Sequence, residues 1–240
     1  MAEENNPDQG SRNVSKQKSE FSVSLTEPTK TMYIVGNGII EKDMGSIIDS
    51  ADVVIRFNDL NNYNLNTGTK ISIWVISSNS FLIDKRINAA DANVGDLKIK
   101  TKDIIQRTKS IYFSIPPFSP TQAEAKGNLF RRITRDDKND RISSVERFLA
   151  HFEAFDHPHR IIEFSSKYVK SLAPELWPPN WTCPSNGYLI TRMLLDDPTF
   201  YKYKKHLVGF SWEGWPGHPW FMEKLYIEKL ERDNLINIVK

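Results

Sequence analysis

Seven short apolar runs, separated by polar and helical stretches, constrain the fold of this 240-residue chain more than any other feature. The runs are rich in Ile and Val and mostly continuous, as expected of strands that are covered on both faces. Strands that alternate with helices favour a parallel sheet between two helix layers. The sequence therefore predicts a three-layer α/β domain with a largely parallel seven-stranded sheet. The runs lie at 32–37, 51–58, 70–77, 109–116, 159–165, 206–212 and 235–239.

Helical periodicity is clearest in two of the intervening segments. Residues 140–155 place apolar side chains on one stripe, and Ser143 stands three residues before Glu146, which indicates a capping box. Residues 219–233 combine an apolar stripe with oppositely charged side chains four residues apart. An apolar helix is also predicted at 188–195.

The chain is predicted to form one domain, 31–240, after a disordered tail, 1–30. The tail is polar and lacks hydrophobic periodicity, so it cannot offset the entropy of ordering. Residues 79–108 and 117–140 are expected to be loop-rich, and long loops at a sheet edge often close over ligands.

Composition bears on which partners the protein can bind and on the cellular compartment in which it works. A net charge of +2, with scattered basic residues, does not favour a nucleic acid partner. A single cysteine, Cys183, allows no internal disulfide and fits a reducing compartment. The sequence offers neither a signal peptide nor an apolar run long enough to span a membrane. A cytoplasmic protein is therefore expected.

Polar residues follow several predicted strands. In an open α/β sheet, ligands collect at the carboxyl ends of the strands. Asn37 follows the first run, and Arg56 and Asn58 end the second. Ser185 and Asn186 open the helix predicted at 188–195. The unpaired N–H groups at the start of a helix attract anions. For each of them, a structural turn or cap is the alternative interpretation.

His218 is the candidate catalytic base. It follows the run at 206–212 through a loop rich in Gly and Trp, and Glu223 lies five residues further on. An imidazole ionises in the range that a general base at neutral pH requires. A structural histidine is the alternative.

Several common sites are disfavoured. YIVGNGIIEKDMG (33–45) has neither the dinucleotide-binding G-x-G-x-x-G spacing nor the G-K-[ST] of a P-loop. No G-x-S-x-G elbow and no D-x-D pair occurs. The histidines at 157 and 159 have no partner ligands at recognisable spacing, so no metal site is predicted.

Three stretches, in order, resemble the motifs of the animal-type sialyltransferases. IVGNGIIEKDMGSIIDSADVVIRFNDLNNYNLNTGTK (34–70) resembles the large motif of that family. PSNGYLITRMLL, followed by HLVGF (184–210), resembles the small motif, and HPWFME (218–223) resembles the very small motif. Together they span most of the predicted domain.

The resemblance implies a metal-independent, inverting glycosyltransferase with a Rossmann-like variant of the glycosyltransferase-A fold and no cofactor. Its partners would be a CMP-linked sugar donor and a glycan or glycolipid acceptor. His218 would deprotonate the acceptor hydroxyl, with Arg56 and Glu223 in supporting positions. Carried over by motif position, the donor-binding residues would be Asn37, Gly38, Asn58, Ser185, Asn186 and Gly187.

The sequence departs from the family pattern at several positions. Gly38 and Asn186 stand where the family has serine or threonine, the family disulfide cannot form, and the fourth motif expected before His218 is missing. The donor sugar is therefore open between sialic acid, another acidic keto-sugar and an unrelated sugar. A non-catalytic nucleotide binder or scaffold with the same fold, and a hydrolase of a nucleotide-linked substrate, are alternatives.

Overall fold

The structure is a computed structural model, and it describes residues 29–64, 66–88, 93–94, 99–115, 138–172 and 184–239. Residues 1–28 of the predicted tail lie outside these ranges, as does Cys183. The strands are β1 Lys30–Val35, β2 Val53–Phe57, β3 Ile73–Ser77, β4 Asn93–Val94, β5 Ile99–Lys100, β6 Ser110–Ile115, β7 His159–Glu163, β8 Tyr203–Val208 and β9 Asn237–Val239. The helices are α1 Gly45–Ser50, α2 Ser80–Asn88, α3 Thr101–Arg107, α4 Lys138–His151, α5 Ser166–Leu172, α6 Asn186–Asp196 and α7 Trp220–Arg232, with a 3₁₀ turn at Pro198–Phe200.

A seven-stranded sheet forms the centre of the domain, in the order β7-β6-β3-β2-β1-β8-β9. Every neighbouring pair in it is parallel. The short strands β4 and β5 form a separate antiparallel pair. The chain moves outward from β1 to β7 and then returns to place β8 on the other side of β1. The carboxyl ends of β1 and β8 therefore flank the switch point where α/β sheets bind ligands.

Both faces of the sheet are covered, because successive side chains on a strand point to opposite faces. Met32 and Ile34 of β1 pack on the face that carries residues of α5, α6 and α7. Tyr33 and Val35 of the same strand face α1, while Trp74 of β3 packs with residues of α2, α3 and α4. The predicted three-layer α/β fold and all seven predicted strands are confirmed.

Two local predictions were wrong. The helix predicted at 140–155 begins at Lys138, so Ser143 lies inside the helix and does not cap it. The segment 79–108, expected to be loop-rich, contains α2 and α3. Of the other expected loop region, 117–137 lies outside the described residues. Among the described helices, none has the length and apolarity that crossing a membrane requires.

Candidate active site

The turn after β1 packs tightly against the turn after β8. Gly36 N donates to Val208 O and Gly38 N donates to Gly209 O, each at 2.8 Å. A Cβ atom at Gly36 would lie 2.3 Å from Gly209 O, and one at Gly38 would lie 2.9 Å from it. Two backbones approach too closely here for any side chain, so glycine is required at both positions.

Asn37 joins the turn after β1 to the turn after β2. Its Nδ2 donates to Phe57 O at 3.3 Å, and its Oδ1 accepts from Asn61 N at 3.1 Å. The neighbouring Asn62 is buried and donates from Nδ2 to Gly36 O at 2.9 Å. Asn37 itself is exposed at the carboxyl edge of the sheet. These amides hold the two turns of the large motif against each other.

Asn58 occupies the left-handed conformation, with φ of 44°, directly after β2. Its Oδ1 accepts from Ser77 N at 3.0 Å, and its carbonyl accepts from Trp74 Nε1 at 3.0 Å. Within the described ranges, its Nδ2 has no acceptor. The side chain is therefore oriented through its oxygen, while the amide N–H groups remain available at the edge.

Arg56 is buried, with 2 % of its surface exposed, and holds the loop that precedes β3. Its guanidinium donates to Lys70 O at 3.0 Å, to Thr67 Oγ1 at 2.8 Å, and to Thr67 O and Gly68 O at 2.6 and 3.1 Å. Burial lowers the pKa of Arg56 to about 10. These contacts fit the supporting position that the resemblance implies.

Helix α6 begins at the same edge of the sheet. Ser185 caps it, as predicted, because its Oγ accepts from Tyr188 N at 3.2 Å. Asn186 Oδ1 accepts from Ser114 Oγ at 2.9 Å, which ties the first turn of α6 to the end of β6. The helix N-terminus is thereby placed beside the carboxyl ends of the strands.

The first turn of α6 presents donors to this edge. The N–H groups of Asn186 and Gly187 have no acceptor among the described residues, as expected of the first residues of a helix. The helix dipole adds positive potential there, which favours an anion. A Cβ atom at Gly187 would lie 2.8 Å from Cε1 of Phe210, so this glycine lets the aromatic ring rest on the helix.

Glu223 links α7 to the cap of α6. Its side chain is fully buried, and its two carboxylate oxygens accept from Ser185 N and Ser185 Oγ, each at 2.6 Å. Burial raises the pKa of Glu223 to about 7, although the two hydrogen bonds from Ser185 act in the opposite direction. The small and very small motifs are thus joined by one buried carboxyl group.

His218 lies in the loop between β8 and α7, with its imidazole between two indole rings. The ring centroids lie 4.8 Å from Trp215 and 5.0 Å from Trp220, and both contacts are edge-to-face. The backbone N–H of His218 donates to Trp215 O at 3.1 Å. The imidazole is half-buried.

The structure brings Asn37, Gly38 and Asn58 to turns at the carboxyl edge of the sheet and the first turn of α6 to the end of β6, while their roles remain predictions. Glu223 contacts the cap of α6, and His218 contacts Trp215 and Trp220 in the loop after β8. Arg56 and Ser185 are buried with their polar groups hydrogen-bonded, whereas Asn37 is exposed and Asn58 is half-buried. Within the described ranges, no group of three or more His, Cys, Asp or Glu side chains is arranged to hold a metal ion.

Sequence reasoning did not single out the residues that connect these turns. Asn62 and Thr67 lie in an asparagine-rich stretch that was identified only as part of the large motif, and Ser114 carried no signal at all. Ser114 contacts a residue 72 positions away, which local patterns cannot reveal. The frequency of asparagine in 58–66 was the one available indication, because asparagine side chains often hold loops together.

Replacing Gly38 with serine, the residue that the family pattern has there, should destabilise the fold by about 1–3 kcal/mol. The new Cβ would lie 2.9 Å from Gly209 O and from both N and Cβ of Ser211, so backbone would have to move. Urea unfolding measures the change. Ile39→Ser is the control, because that neighbouring side chain is 90 % exposed and its loss should change stability by less than about 0.5 kcal/mol. Equal stability of Gly38→Ser and wild type would contradict the close approach of the two turns.

The all-parallel sheet, with a helix N-terminus and amide side chains gathered at its carboxyl edge, defines a Rossmann-like α/β protein. The family model described as Glycosyltransferase family 29 (sialyltransferase) matches residues 9–193. The chain belongs to this family and is a glycosyltransferase. The match ends within α6, so His218 and Glu223 lie beyond the matched residues.

Individual relatives extend the comparison. The urease operon 23 kDa accessory protein of Rhizobium meliloti (strain 1021) is 25% identical over 209 residues, which cover 84% of this chain and 88% of that protein. A mammalian sialyltransferase crystal structure has 16% identity and a TM-score of 0.49, covering 88% of this chain and 69% of that one. A sialyltransferase CST-II variant in complex with CMP has 15% identity and a TM-score of 0.47, covering 87% and 80%.

Proposed function

We propose that the chain transfers sialic acid or a related acidic keto-sugar from a CMP-linked donor to a hydroxyl of a glycan or glycolipid acceptor, without a metal ion and with inversion. The observation that carries the proposal is the direct connection between Ser185 and Glu223 at 2.6 Å. It joins the helix that would bind the donor to the helix that follows the proposed base. Residues of the small and very small motifs, 38 positions apart in sequence, thereby meet in one buried contact.

The donor phosphate fits the first turn of α6. The N–H groups of Asn186 and Gly187 would donate to its oxygens, and Asn58 Nδ2 would add a donor from the end of β2. Neutral donors suffice because the leaving group is a monophosphate, whose charge is smaller than that of the diphosphates that usually require a cation. Asn37 and Gly38 would form the opposite wall.

The reaction would proceed by one displacement. Glycosyl transfer passes through an oxocarbenium-like sugar. The acceptor oxygen forms a bond to the anomeric carbon, the bond from that carbon to the phosphate oxygen breaks, and its electron pair leaves with CMP. The acceptor proton passes to the imidazole of His218. Attack from the face opposite the leaving group inverts the anomeric centre.

Asn58→Asp tests the donor site. The aspartate keeps the oxygen that accepts from Ser77 N and tolerates the left-handed conformation, but it replaces the amide donor with a negative charge facing the phosphate. We expect CMP affinity, measured by calorimetry, to fall at least tenfold, which corresponds to about 1.4 kcal/mol.

Asn64→Asp is the matched control, because Asn64 is also left-handed, with φ of 57°, and is exposed. It adds the same charge outside the proposed site and should leave CMP affinity unchanged. Equal affinity of Asn58→Asp and wild type would place CMP elsewhere. Failure of the wild type to bind CMP would contradict the transferase itself.

A non-catalytic nucleotide binder or scaffold is the second candidate function. It is favoured by the 25% identity to a protein named as a urease operon accessory protein, over 88% of that protein. Incubation with CMP-sialic acid distinguishes the candidates. Product on a glycan acceptor supports the transferase, release of sugar to water alone supports a hydrolase, and CMP binding without turnover supports the scaffold.

The cytoplasm is the proposed compartment of this activity. A single cysteine in 240 residues fits a reducing environment. The donor and acceptor would then have to be available on that side of the membrane.

A further inference from the structure

The loop 210–220, between β8 and the start of α7, is built from indole rings laid on glycines. A Cβ atom at Gly217 would lie 2.2 Å from Cη2 of Trp215, and one at Gly214 would lie 3.3 Å from Cζ2 of Trp220. Each indole therefore covers backbone that has no side chain. Trp215 and Trp220 are nevertheless only half-buried, so part of each residue still faces solvent.

The backbone carbonyl of Trp215 holds both the indole of Trp220 and the backbone of His218. Trp215 O accepts from His218 N at 3.1 Å and from Trp220 Nε1 at 3.0 Å. Both rings meet the imidazole edge-to-face, with interplanar angles of 80°. A molecule that approaches the imidazole from solvent therefore comes close to an indole.

The other end of the loop reaches the donor helix. The ring of Phe210 rests on Gly187, in the first turn of α6, and stands 5.5 Å from the ring of Trp212. The loop thus runs from the proposed donor-binding turn to the proposed base, where an acceptor has to lie.

Partly exposed indoles between the proposed donor-binding turn and the proposed base favour a ligand with a flat apolar face. Trp supplies a large, rigid surface with an apolar body, and little conformational entropy is lost when a ligand covers it. A pyranose ring has one face made largely of C–H groups and hydroxyls around its rim, so it can cover an indole and still present a hydroxyl sideways. The short side chain of a serine or threonine acceptor offers no such face.

We propose that the loop 210–220 is the acceptor subsite, where the C–H face of a neutral pyranose stacks on the indoles of Trp215 and Trp220 and one hydroxyl reaches His218. The role of that hydroxyl rests on the transferase function proposed above. The stacking itself does not, because it requires only the indoles. The loop would thus supply the acceptor contacts that the missing fourth motif does not.

Fluorine NMR of protein labelled with 5-fluorotryptophan tests the subsite in the full chain. The six tryptophans give separate probes, and single Trp→Phe variants assign them. Methyl β-D-galactopyranoside is added in the presence of CMP. We expect saturable shifts of the Trp215 and Trp220 signals, while Trp74, which is fully buried, stays unchanged as an internal control.

Two controls separate stacking on the indoles from non-specific effects of the added solute or of losing an aromatic ring. Glycerol, a polyol without a ring face, should leave both signals in place. Phe155→Leu removes an exposed aromatic ring before β7, at the opposite edge of the sheet, and should preserve the saccharide shifts. Absence of shifts at both Trp215 and Trp220, or equal shifts with glycerol, would overturn the subsite.

The same samples separate this inference from the proposed function. Saccharide shifts in a protein that does not bind CMP would support the subsite and contradict the transferase. CMP binding without saccharide shifts would leave the donor site supported and refute the subsite.

Discussion

Replacing His218 with alanine should reduce sugar transfer roughly 10²- to 10⁴-fold, the contribution usual for a general base. Without the imidazole, the acceptor hydroxyl would have to attack while still protonated. The measurement is product formation from CMP-sialic acid and a galactoside acceptor at saturating concentrations. CMP affinity should stay at the wild-type value, because the proposed donor contacts come from β1, β2 and α6.

The control for this variant is His151→Ala. His151 ends α4 and is exposed, so its loss removes a histidine without touching the carboxyl edge. It should leave both turnover and CMP affinity unchanged. Wild-type turnover by His218→Ala would show that another group accepts the proton, and joint loss of turnover and CMP binding would indicate a structural role for the imidazole.

Replacing Glu223 with glutamine should remove a large pH dependence of stability. Burial raises the pKa of Glu223 to about 7 in the folded protein, against 4.5 for an ordinary glutamate. The folded state therefore binds this proton more tightly than the unfolded chain does. The resulting stabilisation is complete below about pH 4.5 and is lost as the pH rises through 7, a change on the order of 3 kcal/mol.

Glutamine keeps the geometry of the buried link without the ionisation. Its Oε1 can accept from Ser185 N, and its amide can donate to Ser185 Oγ. Between pH 4.5 and 8, the unfolding free energy of the wild type should therefore fall relative to that of Glu223→Gln, as measured by urea unfolding at several pH values. Parallel profiles of the two proteins would contradict the raised pKa.

The alanine variant separates ionisation from hydrogen bonding. Glu223→Ala leaves Ser185 N without its acceptor in a buried position and opens a cavity. It should destabilise the fold at every pH, by about 2–4 kcal/mol. Stability equal to that of Glu223→Gln would show that the hydrogen bonds from Ser185 contribute little.

The sheet was predictable because its signal is local. Each strand is a short run of β-branched and aromatic residues between polar segments, and burial on both faces makes the run continuous. The cap of α6 was also predictable, since Ser185 and the N–H of Tyr188 are three residues apart. The capping box at Ser143 failed because α4 begins earlier, at Lys138, where no apolar pattern marks the boundary.

The site was only partly predictable. His218, Asn37 and Asn58 could be proposed because each follows a strand, and a parallel sheet brings the strand ends to one edge. The contacts that orient Asn37 and Asn58 could not be predicted, because their partners lie at least 16 positions away in the chain. The indoles around His218 come from its own loop, but local patterns do not show how the three rings are arranged. Asn58 depends on the end of β3, and the cap of α6 depends on a carboxylate 38 residues away.

Local sequence patterns were enough to predict the succession of strands and helices, the residues at the strand ends and the order of the three motifs. These features follow from periodicities of two to four residues, which act within each segment. Strand order and helix docking settled which segments touch: the glycines after β1 against Gly209 after β8, and Glu223 against Ser185. Those pairings depend on strand order and helix docking, which bring distant residues within hydrogen-bonding distance only after the whole sheet has formed.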